Sequence, residues 1–153
     1  MNNPFTGIFK GKVVFIGVGN PLRGDDGFGS RFIRRLEGLR NVVCFDAGST
    51  PENYTGKIIK EKPDTIVIVD AVHLGGPAGT YQILKPDEIS KSGFSTHDIS
   101  LTMFVDYVKS HLRANMYLLA VQPENISFGE GLSPALENAL RRIEELVKEV
   151  KHA

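Results

Sequence analysis

The sequence predicts an α/β fold: a three-layer sandwich with a mostly parallel, twisted sheet of about five strands and helices on both faces. Three observations predict it. Apolar runs of strand length alternate with helically spaced apolar stripes along the 153 residues. Two of the runs, VVFIGV at 13–18 and TIVIV at 65–69, are continuously apolar and rich in β-branched residues, which suits strands buried on both faces of a parallel sheet. The order strand, helix, strand implies right-handed crossovers that lay helices on both faces. The length fits one domain over residues 1–153 with a single sizeable core.

Each element follows from its own pattern. Val13 to Val18 is the first strand. Gly27 to Arg40 places Phe28, Phe32, Leu36 and Leu39 at helical spacing, with Arg31, Arg34, Arg35 and Glu37 off that stripe, so an amphipathic helix is expected. Val42 to Phe45 is a second strand, ending at Asp46. Ser49 or Thr50 followed by Pro51-Glu52 has the chemistry of a helix start, and Gly56 keeps any helix there short. Thr65 to Val69 is the third strand, ending at Asp70, and Tyr81 to Leu84 is a shorter fourth. Ser100 to Leu112 carries Leu101, Phe104, Val105, Val108 and Leu112 on one face, a second amphipathic helix. Met116 to Val121 is the fifth strand. Ser133-Pro134 caps a last helix whose buried stripe is Leu136, Leu140, Ile143, Val147 and Val150. The stretch before Val13 receives no role.

Composition narrows the function. Lys+Arg and Asp+Glu are both 18, a formal net charge of zero, so the electrostatic footprint of a nucleic-acid binder is missing. A partner protein or a small substrate remains. Cys44 is the only cysteine, which excludes an internal disulfide and a thiolate cluster. Any metal must therefore be met by carboxylates and imidazoles. The opening MNNPFTGIFKGK has no secretory pattern, and no run approaches the roughly 20 apolar residues of a membrane helix. A cytoplasmic protein without membrane insertion is expected.

Sites in open α/β sheets lie beyond the carboxyl ends of the strands. Four acids fall there. Strand one runs into a loop holding Asp25 and Asp26, strand two ends on Asp46, and strand three ends on Asp70. Buried carboxylates are costly unless paired, hydrogen-bonded or bound to a cation. An imidazole beside them would favour a transition metal. His97, just before a helix, is placed for that; His73 reads as a surface turn residue, His111 as a helix-end cation and His152 as part of the tail. The residues alone therefore point to Asp26 or Asp25, with Asp70 and His97, and Asp46 close by. Asp25 is read as an N-cap or first-turn acid of the helix that follows, and Asp46 as either a site acid or the cap of its turn. A dinucleotide loop is excluded, because the third glycine it needs is Leu22.

The segments GVGNPLRGDDGFG, DAGSTPEN, VDA at 69–71, STHDISL and VQPENISFGEGLSP resemble, in this order and spacing, the hydrogenase maturation proteases. These endopeptidases process the large subunit of nickel–iron hydrogenases. GSTPEN and VQPE resemble most the branch serving hydrogen-evolving, formate-hydrogenlyase-type hydrogenases. The resemblance implies a phosphorylase/hydrolase-like sandwich and a nickel-contacting triad of Asp26, Asp70 and His97, with Asp46 as a further strand-end acid of less settled role. It implies that the nickel is carried by the substrate, that the free enzyme holds no tightly bound cofactor, and that the partner is the large-subunit precursor. A monomer is expected. The sequence has no Gly-x-Ser-x-Gly elbow and no HExxH helix, and Cys44 inside a strand is a poor nucleophile. Two other functions use the same features: a non-proteolytic nickel-binding assembly chaperone, and an aminohydrolase or nucleotide-binding domain of the same sheet architecture.

Overall fold

A computed structural model describes residues 2–88 and 100–152. Five strands, β1 (Val13–Val18), β2 (Val42–Gly48), β3 (Thr65–Ala71), β4 (Tyr81–Leu84) and β5 (Asn115–Val121), form one sheet in the order β2-β1-β3-β5-β4. The pairs β1–β2, β1–β3 and β3–β5 are parallel, and only β4 runs antiparallel, along β5. The described helices are α1 (Phe28–Arg34), α2 (Thr55–Glu61), α3 (Ser100–His111) and α4 (Pro134–His152).

The three layers follow from side-chain alternation along the strands. Val13, Phe15, Val67, Val69, Leu119 and Val121 pack with α1 and α4 on one face. Val14, Ile16, Ile66, Ile68, Leu118 and Ala120 pack with α2 and α3 on the other. β1 and β3 are buried at every residue, as two-faced central strands must be.

Helix α1 is set unusually close to the sheet. A Cβ on Gly29 would lie 2.3 Å from the Val69 carbonyl oxygen and 2.6 Å from that of Val18, and one on Gly17 would lie 2.4 Å from the Gly29 carbonyl. Glycine at both positions lets the helix backbone rest on β1 and β3. This contact fixes the turn just before α1, where Asp25 and Asp26 lie.

Two elements differ from the sequence expectation. The first helix ends at Arg34, not Arg40. Beyond it Arg35 and Leu36 make tight three-residue hydrogen bonds to Phe32 and Ile33, and Gly38 takes φ +88°. The apolar stripe continues through these turns, which still bury Leu36 and pack Leu39 on the core. The stretch before Val13 has a structural role. Phe5 is buried and stacks on Phe9 at 5.4 Å, Phe9 meets Phe15 edge-on at 5.5 Å, and the Asn3 amide donates to the Leu146 carbonyl at 2.8 Å. The short helix after Pro51 opens as a 3-10 turn over Pro51–Tyr54 and becomes α2, with Gly56 in its first turn; Lys62, at φ +51°, ends it. No helix among the described residues is long and apolar enough to cross a membrane.

Candidate active site at the carboxyl edge of the sheet

The loop after β1 folds back on itself around one carboxylate. Gly19 takes φ +127°, and a Cβ there would lie 1.9 Å from the Asp26 carbonyl oxygen, so only glycine permits the closure. Asn20 donates its N–H to Asp26 Oδ2 at 2.8 Å, and the Asn20 side chain accepts the Leu22 N–H at 2.9 Å. Asp26 is left half-buried in a 3-10 turn, Gly24–Gly27, at the mouth of the sheet.

The other strand-end acids flank β1. Asp46 on β2 is level with Gly17, which is itself level with Val69, the residue before Asp70 on β3. Both strands run past their acids, to Gly48 and Ala71, rather than ending on them. Alternation then separates the two. Asp70, 3 % exposed, shares its face with Ile66 and Ile68, on the α2 and α3 side. Asp46 shares its face with Val42 and Cys44, under α1. There Ser30 Oγ donates to Asp46 Oδ2 at 2.6 Å, and the Arg34 guanidinium lies 3.7 Å from the same oxygen. Asp46 therefore ties α1 to β2; its carboxylate is not spent on capping the following turn.

Asp25 is the residue that sequence reasoning placed wrongly. It caps neither its own 3-10 turn nor α1. It is fully buried and reaches across the chain: Oδ2 accepts the N–H of Glu124 at 2.9 Å, the N–H of Asn125 at 3.1 Å and the hydroxyl of Ser133 at 2.8 Å, while Oδ1 accepts the N–H of Ser133 at 2.7 Å. One carboxylate thus locks the loop carrying Asp26 to the segment joining β5 and α4. Gln122 was also missed. Its amide oxygen accepts the N–H groups of Leu74 and Gly75, and its amide nitrogen donates to the Pro123 carbonyl at 3.0 Å, so it fixes the turn after β3. The only sequence signal for either was the segment VQPEN and the doubled aspartate, neither of which names partners 99 to 108 positions from Asp25 or 47 and 48 positions from Gln122.

His97 lies outside the described residues. Helix α3 runs from Ser100 and ends at His111, four residues before β5 begins, so it travels antiparallel to β5 and starts toward the carboxyl edge. His73 is exposed in the turn after β3. At the C-terminus of α3, His111 Nδ1 lies 2.9 Å from the Tyr107 carbonyl, and its ring stacks on Tyr107. Among the described residues, no three His, Cys, Asp or Glu side chains form a metal-binding group.

Burial, with a smaller contribution from the nearby charge of Glu37, pushes the Cys44 thiol up to about 12. At pH 8 the thiolate fraction is then on the order of one in ten thousand. Native protein is expected to leave Cys44 unlabelled by a thiol reagent at pH 8 and to label it on unfolding; rapid native labelling would contradict its inert placement.

A mostly parallel sheet with acids on its strand ends and on the loop after its first strand, at the carboxyl edge, is the layout of an α/β enzyme with an edge site. Comparison with known proteins makes the class specific. The family model of hydrogenase maturation proteases matches residues 29–150. The hydrogenase 3 maturation protease of Escherichia coli is 30% identical, over 85% of this chain and 85% of its own. The crystal structure of a [NiFe] hydrogenase maturation protease, HycI, from Thermococcus kodakarensis superposes with a TM-score of 0.86 at 34% identity, covering 97% of this chain and 96% of that one. The solution structure of the endopeptidase HycI from Escherichia coli gives a TM-score of 0.75 at 27% identity, over 88% and 87% of the two chains. This chain belongs to the hydrogenase maturation protease family. It is accordingly a maturation endopeptidase, a hydrolase, and the expected sandwich is the fold it has.

Proposed function

We propose that the chain removes the C-terminal extension from the large-subunit precursor of a nickel–iron hydrogenase, and that it recognises nickel already seated in that precursor. The observation that carries this reading is that Asp26, on the loop after β1, and Asp70, near the end of adjoining β3, belong to the same carboxyl edge of the sheet in a chain of this family. Oxygen and imidazole donors suit nickel. Asp26, Asp70 and His97 would reach the precursor's nickel and hold the scissile bond beside it. The ion would polarise the scissile carbonyl or make a bound water more acidic. Water then adds to the carbonyl carbon, the C–N bond breaks, and the departing amine takes the proton. Asp46, engaged with Ser30 and Arg34, acts by holding α1 and the preceding turn in place.

The test is to mix the protein with nickel-loaded precursor and follow the precursor by mass spectrometry. Release of one C-terminal peptide is expected. Tight nickel binding by the protein with an intact precursor would instead identify an assembly chaperone.

A further inference from the structure

Four large apolar side chains stand well exposed among the described residues: Leu22, Met103, Tyr107 and Phe128. Met103 and Tyr107 lie one turn apart on α3. Leu22 and Phe128 come from loops far apart in the chain, and the fold pairs them. The Gly129 N–H donates to the Leu22 carbonyl at 2.7 Å, the Gly24 N–H donates to the Gly129 carbonyl at 2.7 Å, and the Asp25 N–H donates to the Asn125 carbonyl at 2.9 Å. Arg23 pairs with Gly129 in parallel, which sets Leu22 beside Phe128. The same two segments are also joined by the buried Asp25 carboxylate through its four hydrogen bonds to Glu124, Asn125 and Ser133. Phe128 is 84% exposed and Leu22 47%, yet both ride on backbone that is locked in place.

We propose that Leu22 and Phe128 form a rigid apolar rim that docks the precursor polypeptide, receiving an apolar side chain next to the bond that is cut. The inference rests on the proposed function. Three observations choose this occupant. The rim is continuous with the site: Leu22 donates to the Asn20 side chain, and Asn20 donates to the Asp26 carboxylate. Charges of both signs surround it, Arg23 on one loop and Glu124 and Glu130 on the other, and the chain is neutral overall, so apolar contact rather than charge steering selects the ligand. Two side chains offer far less area than a stable dimer interface of this chain would need, but enough to grip one extended segment.

The test is a Leu22→Ser/Phe128→Ser double variant, with Met103→Ser/Tyr107→Ser as its control. Affinity for nickel-loaded precursor is measured by titration, and processing is measured against precursor concentration. The Leu22/Phe128 variant is expected to bind the precursor about tenfold or more weakly and to raise KM alike, with kcat within about twofold and an unchanged melting temperature. The control is expected to match wild type. Wild-type affinity in the Leu22/Phe128 variant would overturn the inference, as would a loss confined to kcat. A change in oligomeric state with precursor affinity intact would overturn it in favour of self-association. Binding is read without cleavage, so a wild-type protein that binds but does not cut would count against the proposed function and leave the rim assignment to be decided by the affinities.

Discussion

Asp25→Ala is expected to destabilise the fold by about 3–5 kcal/mol, the range for breaking a fully buried, hydrogen-bonded carboxylate network. The side chain is 0 % exposed and holds three backbone N–H groups and one hydroxyl. Removing it leaves the Glu124, Asn125 and Ser133 amides without their acceptor, each costing about 1–3 kcal/mol where water cannot substitute. In a domain of this size the melting temperature should fall by roughly 10 °C or more. Asp25→Asn keeps the shape but replaces one accepting oxygen with a donor that faces other donors, so it should not restore stability. Ser133→Ala removes only the hydroxyl, which also caps α4 at 3.4 Å through the Leu136 N–H, and should cost about 1–2 kcal/mol. Thermal melts of the three variants check the order. A neutral Asp25→Ala would mean that the two loops are held together by something other than this carboxylate.

Substitution in the proposed triad should abolish the chemistry, and at half-buried Asp26 it should leave the fold standing. Asp26→Ala, Asp70→Ala and His97→Ala are each expected to lower processing at least about a hundredfold, the scale seen when a group acting on the reacting centre is removed. Asp26 is half-buried and, among the described residues, accepts a hydrogen bond from the Asn20 N–H, so little of the fold depends on it. Asp46→Asn keeps an oxygen for Ser30 Oγ and is expected to keep most activity. The measurement is single-turnover processing beside a thermal melt. Full-rate processing by His97→Ala would remove His97 from the site, and an Asp46→Asn loss as large as that of Asp26→Ala would put Asp46 at the reacting bond.

These two predictions divide along what the sequence could reveal. The buried runs of β1 and β3, the stripe of α4 and the edge where the acids gather all follow from local periodicity, and so were legible. The split between Asp46 and Asp70 was legible in principle from alternation, since Asp46 is in phase with Val42 and Cys44 while Asp70 is in phase with Ile66 and Ile68. The end of α1 was not, because the apolar spacing of Leu36 and Leu39 persists through tight turns that bury the same residues as a helix would. Asp25 was not, because an acid before a helix has the pattern of a cap, and its real partners lie 99 to 108 positions away. Phe5 was hidden too: Phe5, Ile8 and Phe9 make no run of strand or helix length in a polar stretch, and only the packed fold stacks Phe5 on Phe9 and sets Phe9 against Phe15.

The central claim is that the site is completed by the nickel of its substrate. Purified precursor, nickel-loaded and nickel-free, should be incubated with the protein and the release of the C-terminal peptide timed. The account predicts prompt cleavage of the loaded precursor and none of the nickel-free one. Equal cleavage of both would contradict it.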